Sequence, residues 1–360
     1  MPPLPISLEK TAPKTVDIVL SAPQNVFTSM LLLARDDNAP GIHEWVGKLR
    51  ARMSRKEFEN HTLVLIGFFF ALMPEDGNIT FPAYLNTLER IDPVELRDKM
   101  LNAYAKMLKD ESDEVHWDEV LASVENYLEF LRTRFSGEDV IEEIETKAYK
   151  YVIDPPAMKK FLVKHMTTMW EKYFQEEWNR VQPMLLESIR SFNVAELNTM
   201  SRLEAANFII GQDVSNSNWS KYIDKVDRAE FIPNPHIGPY VHATIRHDVA
   251  YITFGARQPE GTPDRIPELD RTEIVSRLSA LADDTRLHIL RLATERDEIR
   301  VQDIMEVINL SQPSVSRYLS QLSAAGFLQE RRESGTKVYS LNKERIDRTL
   351  KAVNTFLLGR

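Results

Sequence analysis

The stretch from Val301 to Leu341, VQDIMEVINLSQPSVSRYLSQLSAAGFLQERRESGTKVYSL, leaves little freedom in how it folds. Apolar residues at Val301, Ile304, Met305 and Ile308 recur at helical spacing and make one stripe. Asn309-Leu310-Ser311 breaks that helix, with Leu310 plugging the corner. Ser311 is placed as an N-cap whose hydroxyl can accept a free backbone N–H, and Pro313 fits the first turn of a second helix. Val315, Leu319 and Leu322 form the buried stripe of that helix, and Gly326 is placed to end it in a left-handed conformation. Gln312, Ser314, Ser316, Arg317, Ser320 and Gln321 are then expected to face outward. Short hydrogen-bonding side chains with one cation suit base edges and phosphates. The following GFLQERRESGTKVYSL predicts a hairpin in which Arg331, Arg332 and Lys337 flank a Ser334-Gly335 turn, as a wing laid along a phosphate backbone requires.

The rest of the chain is much larger than this unit. With 360 residues, two or three domains are expected, and 43% hydrophobic with 28% charged residues fits a soluble globular protein. Net charge is −9, but it is unevenly spread. From residue 268 onward 15 Lys and Arg stand against 14 Asp and Glu, a net of +1, while the remainder carries 30 against 40, a net of −10. Within 312–351 the balance is 8 against 4, or +4, so positive charge gathers where a duplex would sit. There is no cysteine, which excludes disulfides, thiolate metal sites and cysteine nucleophiles. MPPLPISLEK has neither the charged nor the apolar region of a signal peptide. The longest apolar run, Leu63 to Met73, is 11 residues, too short for a spanning helix of about 20. A cytoplasmic location is the expectation.

In chain order, TVDIVLS at 15–21 alternates as a strand, and helices are expected at 24–35, 41–53, 55–73, 82–90 and 93–108, punctuated by prolines. Further helices are expected at 117–135 and from 138 to about 149, the latter with an acidic face. Asp154-Pro155-Pro156 opens a long helix to 179, followed by 181–192 and 194–208. Its aromatic residues suggest either core packing or a pocket for an apolar effector. The pocket reading takes in Trp170, Phe174 and Trp178, with His236 and Tyr240 from the loop after them. Strands are expected at 229–232, 240–246 and 249–254, with a His247-Asp248 turn, and 257–267 reads as a linker.

LADDTRLHILRLA at 281–293, the helix pair, SQPSVSRYLSQLSAAGFL at 311–328 and RRESGTKVYSL together resemble the arsenical-resistance repressor (ArsR) family of winged-helix transcription regulators. The likeness covers roughly residues 270–358. It implies a homodimeric repressor or regulator, responding to a non-metal effector, whose second helix of the pair enters the major groove of a palindromic operator. Residues 15–255 resemble an uncharacterised domain found upstream of some such winged helices, through WEKYFQEEW at 170–178 and FIPNPHIGPY at 231–240.

Many members of that family sense metals, and this sequence departs from them. Where a Cys-x-Cys pair would open the first helix stand Arg300, Val301 and Gln302, and the final helix has Asp347 but no histidine. No metal and no cofactor are expected. His236, His242 and His247 lie close in sequence, but a backbone-bonded loop histidine and two strand histidines are the simpler reading. Gly-x-Ser-x-Gly, Gly-x-Gly-x-x-Gly, phosphate-loop and His-Glu-x-x-His motifs are all missing, so no enzyme is expected.

The fold class expected is mostly α with small β elements (α+β). A C-terminal winged helix-turn-helix at 269–360 follows a linker at 259–268. Before it come a mainly helical region at 1–150 and a helical plus β-hairpin region at 151–258, with a short antiparallel sheet. Ser311, Gln312, Ser314, Ser316, Arg317, Tyr318 and Gln321, with Arg331, Arg332 and Lys337 on the wing, are the expected DNA contacts. Arg317 and Gln321 are assigned to base edges. Partners expected are double-stranded DNA, a second copy of the chain and a small-molecule effector, with no membrane. The alternative is an interaction module whose winged helix docks a protein.

Overall fold

Several helix starts in this chain are built from caps. In the computed structural model, Ser54 and Glu57 form a reciprocal capping box, as do Ser201 and Glu204. Thr80, Asp92 and Asp154 each accept a first-turn N–H just ahead of a proline that lacks one. The structure describes residues 15–34, 39–75, 79–106, 115–135, 140–192, 197–217, 219–246, 248–259, 262, 267–333 and 336–358. The expected Ser334-Gly335 turn, His247 and most of the linker lie outside them.

Strand β1 (Thr15–Ile18) leads into α1 (Ala22–Ala34), α2 (Glu44–Arg52), α3 (Arg55–Gly67), α4 (Phe69–Leu72), α5 (Phe81–Arg90) and α6 (Pro93–Ala105). Next come α7 (Trp117–Val120), α8 (Val124–Arg134) and α9 (Glu142–Val152). Helix α10 (Pro155–Met169) runs through a five-residue π-turn at Trp170–Phe174 into α11 (Gln175–Phe192). The two helices expected at 156–179 and 181–192 are thus one rod, and its π-turn brings Trp170, Tyr173 and Phe174 inward together. After a short 3₁₀ turn come α12 (Arg202–Ile210) and α13 (Ser220–Ile223), then β2 (Arg228–Asn234), β3 (Val241–Arg246) and β4 (Val249–Gly255).

The first core gathers α1–α6 and α8–α10 around Met30, Leu33, Phe68, Leu72 and Met100. The second packs α11 and α12 on the sheet through Phe192, Ile209, Phe231 and Phe254. That sheet corrects the expectation of an antiparallel one. Its order is β1-β2-β4-β3, with β1 parallel to β2, β2 parallel to β4, and only β3 antiparallel to β4. Pairing of Thr15–Ile18 with Arg228–Phe231 ties the chain's start to residues over 200 positions later. A division at residue 150 therefore does not coincide with a core boundary, since α10 also packs on α6 and α3.

The third core belongs to the C-terminal unit: α14 (Pro267–Leu281), α15 (Asp284–Arg296), β5 (Glu298–Ile299), α16 (Val301–Ile308), α17 (Gln312–Ala324), β6 (Leu328–Glu333), β7 (Thr336–Leu341) and α18 (Lys343–Leu358). Its sheet has the order β5-β7-β6, all antiparallel. The mostly helical α+β class expected from sequence is what folds.

Candidate nucleic-acid interface

The corner between α16 and α17 is made by backbone conformation. Asn309 takes a left-handed conformation (φ 55°, ψ 47°) and its N–H returns to the Met305 carbonyl at 3.0 Å. Asn tolerates this region because its short polar side chain costs little there. Val315, Leu319 and Leu322 are fully buried, which fixes the rotation of α17 and turns Gln312, Ser316, Arg317 and Ser320 outward. Gly326 ends the segment at φ +78°, as its position in the sequence predicts.

Ser311 stands at the N-cap with extended backbone, but its hydroxyl bonds the Ser314 hydroxyl at 3.0 Å rather than a backbone N–H. The first turn of α17 therefore presents hydrogen-bonding hydroxyls beside backbone donors that no side chain caps. A helix N-terminus of this kind accepts a phosphate. Tyr318 is half-buried against the core, and the Arg317 guanidinium lies over its ring at 5.6 Å.

Gln321 is corrected by the structure. It is 8% exposed, and its Oε1 accepts from Arg286 Nη1 at 3.0 Å. Arg286 is itself buried, and donates to the Ala280 and Ser279 carbonyls at 2.7 and 2.9 Å, so it locks the end of α14 onto α15 and α17. Gln321 supplies the neutral acceptor this buried guanidinium needs. It is not turned outward, and nothing in 311–324 alone signals a partner 35 residues upstream.

The three wing cations do not share a face. Register places Arg332 opposite Lys337, and Arg331 opposite Val338 on the other side of the hairpin. Arg331 forms a two-pronged ion pair with Glu298 at 2.7 and 2.6 Å, because β5 runs alongside β7. Lys337 pairs with Glu330 at 2.8 Å and Arg300 with Glu333 at 2.8 Å. Among the described residues Arg332 has no ion pair. Exposed pairs are worth about 0–1 kcal/mol, so phosphates can compete for Lys337.

The outward face of α17 looks into a cleft. One cavity of about 980 Å³ is lined by Gln312, Ser316, Ser320 and Lys337 on one side and by Asp213, Asn216 and Trp219 on the other. A second, of about 750 Å³, brings Arg317 and Ser320 opposite Phe69, Phe70 and His242. Asn216 Nδ2 donates to the Glu330 carbonyl, and Arg345 Nη1 to the Gly211 carbonyl at 3.4 Å, so the two parts touch at the rim.

Of the residues expected to form an effector pocket, only Tyr240 borders these cavities. Trp170 stacks on Phe81 at 4.8 Å, Phe174 meets Trp45 edge-on at 5.3 Å, and Trp178 is half-buried against the first core. His236 is buried, stacked on Trp45 at 4.4 Å. Its Nε2 lies 2.8 Å from Glu177 Oε1 and its Nδ1 2.8 Å from Ser29 Oγ. Burial lowers the His236 pKa, against the pull of the Glu177 carboxylate. Burial would raise Glu177, but hydrogen bonds from His236 and Arg180 outweigh it and hold the carboxyl at about 2. A serine, a histidine and a glutamate in a row have the members of a nucleophilic triad. All three are buried, however, and none lines either cavity, so they fasten α1, α11 and the β2 loop together. Among the described residues no group of three or more His, Asp or Glu stands in metal-ligand geometry. No helix there is long and apolar enough to cross a membrane.

Residues 283–330, from the cap of α15 to the base of the wing, match the family model for bacterial regulatory proteins of the arsR family. The chain belongs to the arsR family. An arsenic resistance transcriptional regulator of Pseudomonas putida is 41% identical over 64 residues, 18% of this chain and 50% of that protein. The arsenical resistance operon repressor of Escherichia coli is 39% identical over 62 residues, 17% of this chain and 53% of the repressor. An HTH-type transcriptional regulator of Methanocaldococcus jannaschii is 32% identical over 75 residues, 21% of this chain and 84% of that protein. The chain thus spans about half the length of the first two relatives. In the arsR-family unit, Arg300 bonds Glu333 and Asp303 takes the Arg300 N–H at 2.7 Å, so the start of α16 is closed by ion pairs and a cap.

Proposed function

We propose that this chain is a sequence-specific DNA-binding transcription regulator of the arsR type that works as a homodimer and answers to a non-metal effector. The observation that carries the reading is α17. Its apolar stripe is fully buried in a matched arsR-family unit, which leaves Gln312, Ser316, Arg317 and Ser320 on the opposite face. Arg317 is the residue assigned to base edges, with Ser311, Ser314 and the α17 N-terminus on a phosphate, and Arg332 and Lys337 on the backbone.

Dimerisation is supported by α14 and α18, which pack on each other and leave Val275, Leu350, Phe356 and Leu357 at 51–70% exposure. An apolar face of that extent on two adjoining helices is an association surface. A thiolate-held effector does not fit these 360 residues, which hold no cysteine. The closed arrangement, with α17 facing Asp213, Asn216 and Trp219, corresponds to a DNA-free state. A helix in the major groove is flanked by both phosphate backbones, and the cleft in front of α17 is walled by protein instead. DNA binding then requires the head to swing away from Asp213–Trp219.

The test is a mobility shift with the DNA directly upstream of the chain's own gene, run over a salt series. Retention that weakens steeply with salt is expected, and changing Lys337 to Ala should reduce the salt slope by about 1. No retention at any salt would favour the protein-docking alternative.

A further inference from the structure

The 750 Å³ cavity is of the size that encloses a small molecule. Its wall is a ladder of rings. Phe69 meets Phe70 at 4.9 Å, Phe70 meets Tyr104 at 5.5 Å and Tyr104 meets Phe135 at 5.5 Å, each close to perpendicular. Leu31, Ile66 and Val140 complete the apolar surface.

Two polar groups on this lining are left wanting. The Thr28 side chain is 2% exposed, and its hydroxyl has no hydrogen-bond partner among the described residues. Glu145 is 8% exposed, and the Tyr127 hydroxyl, at 3.4 Å, is its hydrogen-bond donor. No described cation pairs with it. Burial pushes its carboxyl up to about 7, although the Tyr127 bond pulls the other way. A buried acid of this kind is either neutral or matched by a positive group. The one Lys or Arg among the described lining residues is Arg317, exposed on the opposite wall with its guanidinium over Tyr318. Aromatic faces and edges next to an unmatched carboxyl are what an organic cation selects.

We infer that this cavity binds an apolar aromatic amine, with its rings against Phe69, Phe70 and Phe135 and its ammonium at Glu145 and Thr28. Such a ligand touches the N-terminal helices and the Arg317 face of α17 together, so it stabilises the closed cleft. By linkage it lowers affinity for DNA. That consequence rests on the proposed regulator reading, whereas binding itself is measured without DNA, so the two fail separately.

The probes are 4-phenylbenzylamine and its neutral counterpart 4-phenylbenzyl alcohol, titrated calorimetrically into the full chain. The amine is expected to bind at least about tenfold more tightly than the alcohol, the worth of one charge-assisted hydrogen bond. Glu145→Gln should erase that preference while keeping the alcohol's affinity. Val140→Trp, which fills the cavity, should remove binding of both and covers the case in which the glutamine variant fails to fold. Equal affinity of the two probes, no binding of either, or a preference that survives Glu145→Gln overturns the site. The amine should also lower DNA retention at saturation, and the alcohol should do so only at a correspondingly higher concentration; retention unchanged by saturating amine overturns the coupling.

Discussion

With residues 216 and 329 changed to cysteine and joined by a short bismaleimide, the chain is expected to lose the sequence-specific retention of DNA proposed for it. Both positions line the cleft in front of α17 and both are exposed. The chain has no other cysteine, so the link is unique. A closed tether keeps Gln312, Ser316 and Ser320 facing Asp213–Trp219, and the two backbones that wall a major groove cannot enter. The drop is expected to span the whole specific-to-nonspecific ratio, about 10³-fold or more. Before linking, the double variant should retain DNA at least as well as the parent. It has lost only the Asn216 bond to the Glu330 carbonyl, worth about 1 kcal/mol to the closed state. The comparison is a mobility shift on linked and unlinked samples of one preparation. Equal retention by both would mean the cleft does not have to open.

Leu350→Glu combined with Leu357→Glu is expected to give a monomer that holds operator DNA about 10²-fold less tightly, or weaker still. The two side chains are 53% and 70% exposed, so charge there leaves the third core intact and the thermal midpoint little changed. In a pair, the first head's landing places the second at high effective concentration over its half-site, and a monomer forfeits that gain. Sedimentation velocity and a mobility shift on the same samples decide it. A variant that stays dimeric puts the interface elsewhere, and a monomer with undiminished retention removes dimerisation from the account.

Much of this was legible in the chain. Capping residues and prolines mark the starts of α5, α6 and α10, and the helix pair with Gly326 needed only apolar spacing and a turn residue. What stayed hidden depends on partners far away in sequence. Gln321 has an outward-looking pattern yet turns in because Arg286, buried by α14 and α15, needs an acceptor. Arg331 and Arg332 are neighbours with opposite fates, decided by Glu298 on β5. The sheet reads as a hairpin meander, but β1 inserts itself in parallel beside β2 from over 200 residues upstream. The aromatic stripe at 161–178 leaves core packing and a pocket both open, and Trp170 and Phe174 are buried in the first core. The described cavity is walled instead by Phe69, Phe70, Tyr104 and Phe135, whose run from α4 to the end of α8 has no single periodic signature.

Base reading by α17 is tested most directly by selecting bound duplexes from a random pool, with the parent chain and with Arg317→Ala. The parent should enrich an inverted repeat whose half-sites lie about 34 Å apart along one face of the duplex. Arg317→Ala should bind the parent's best site about 1–3 kcal/mol more weakly and lose preference at one position in each half-site while keeping the others. An unstructured pool from the parent, or the same repeat selected unchanged by Arg317→Ala, would contradict the assignment.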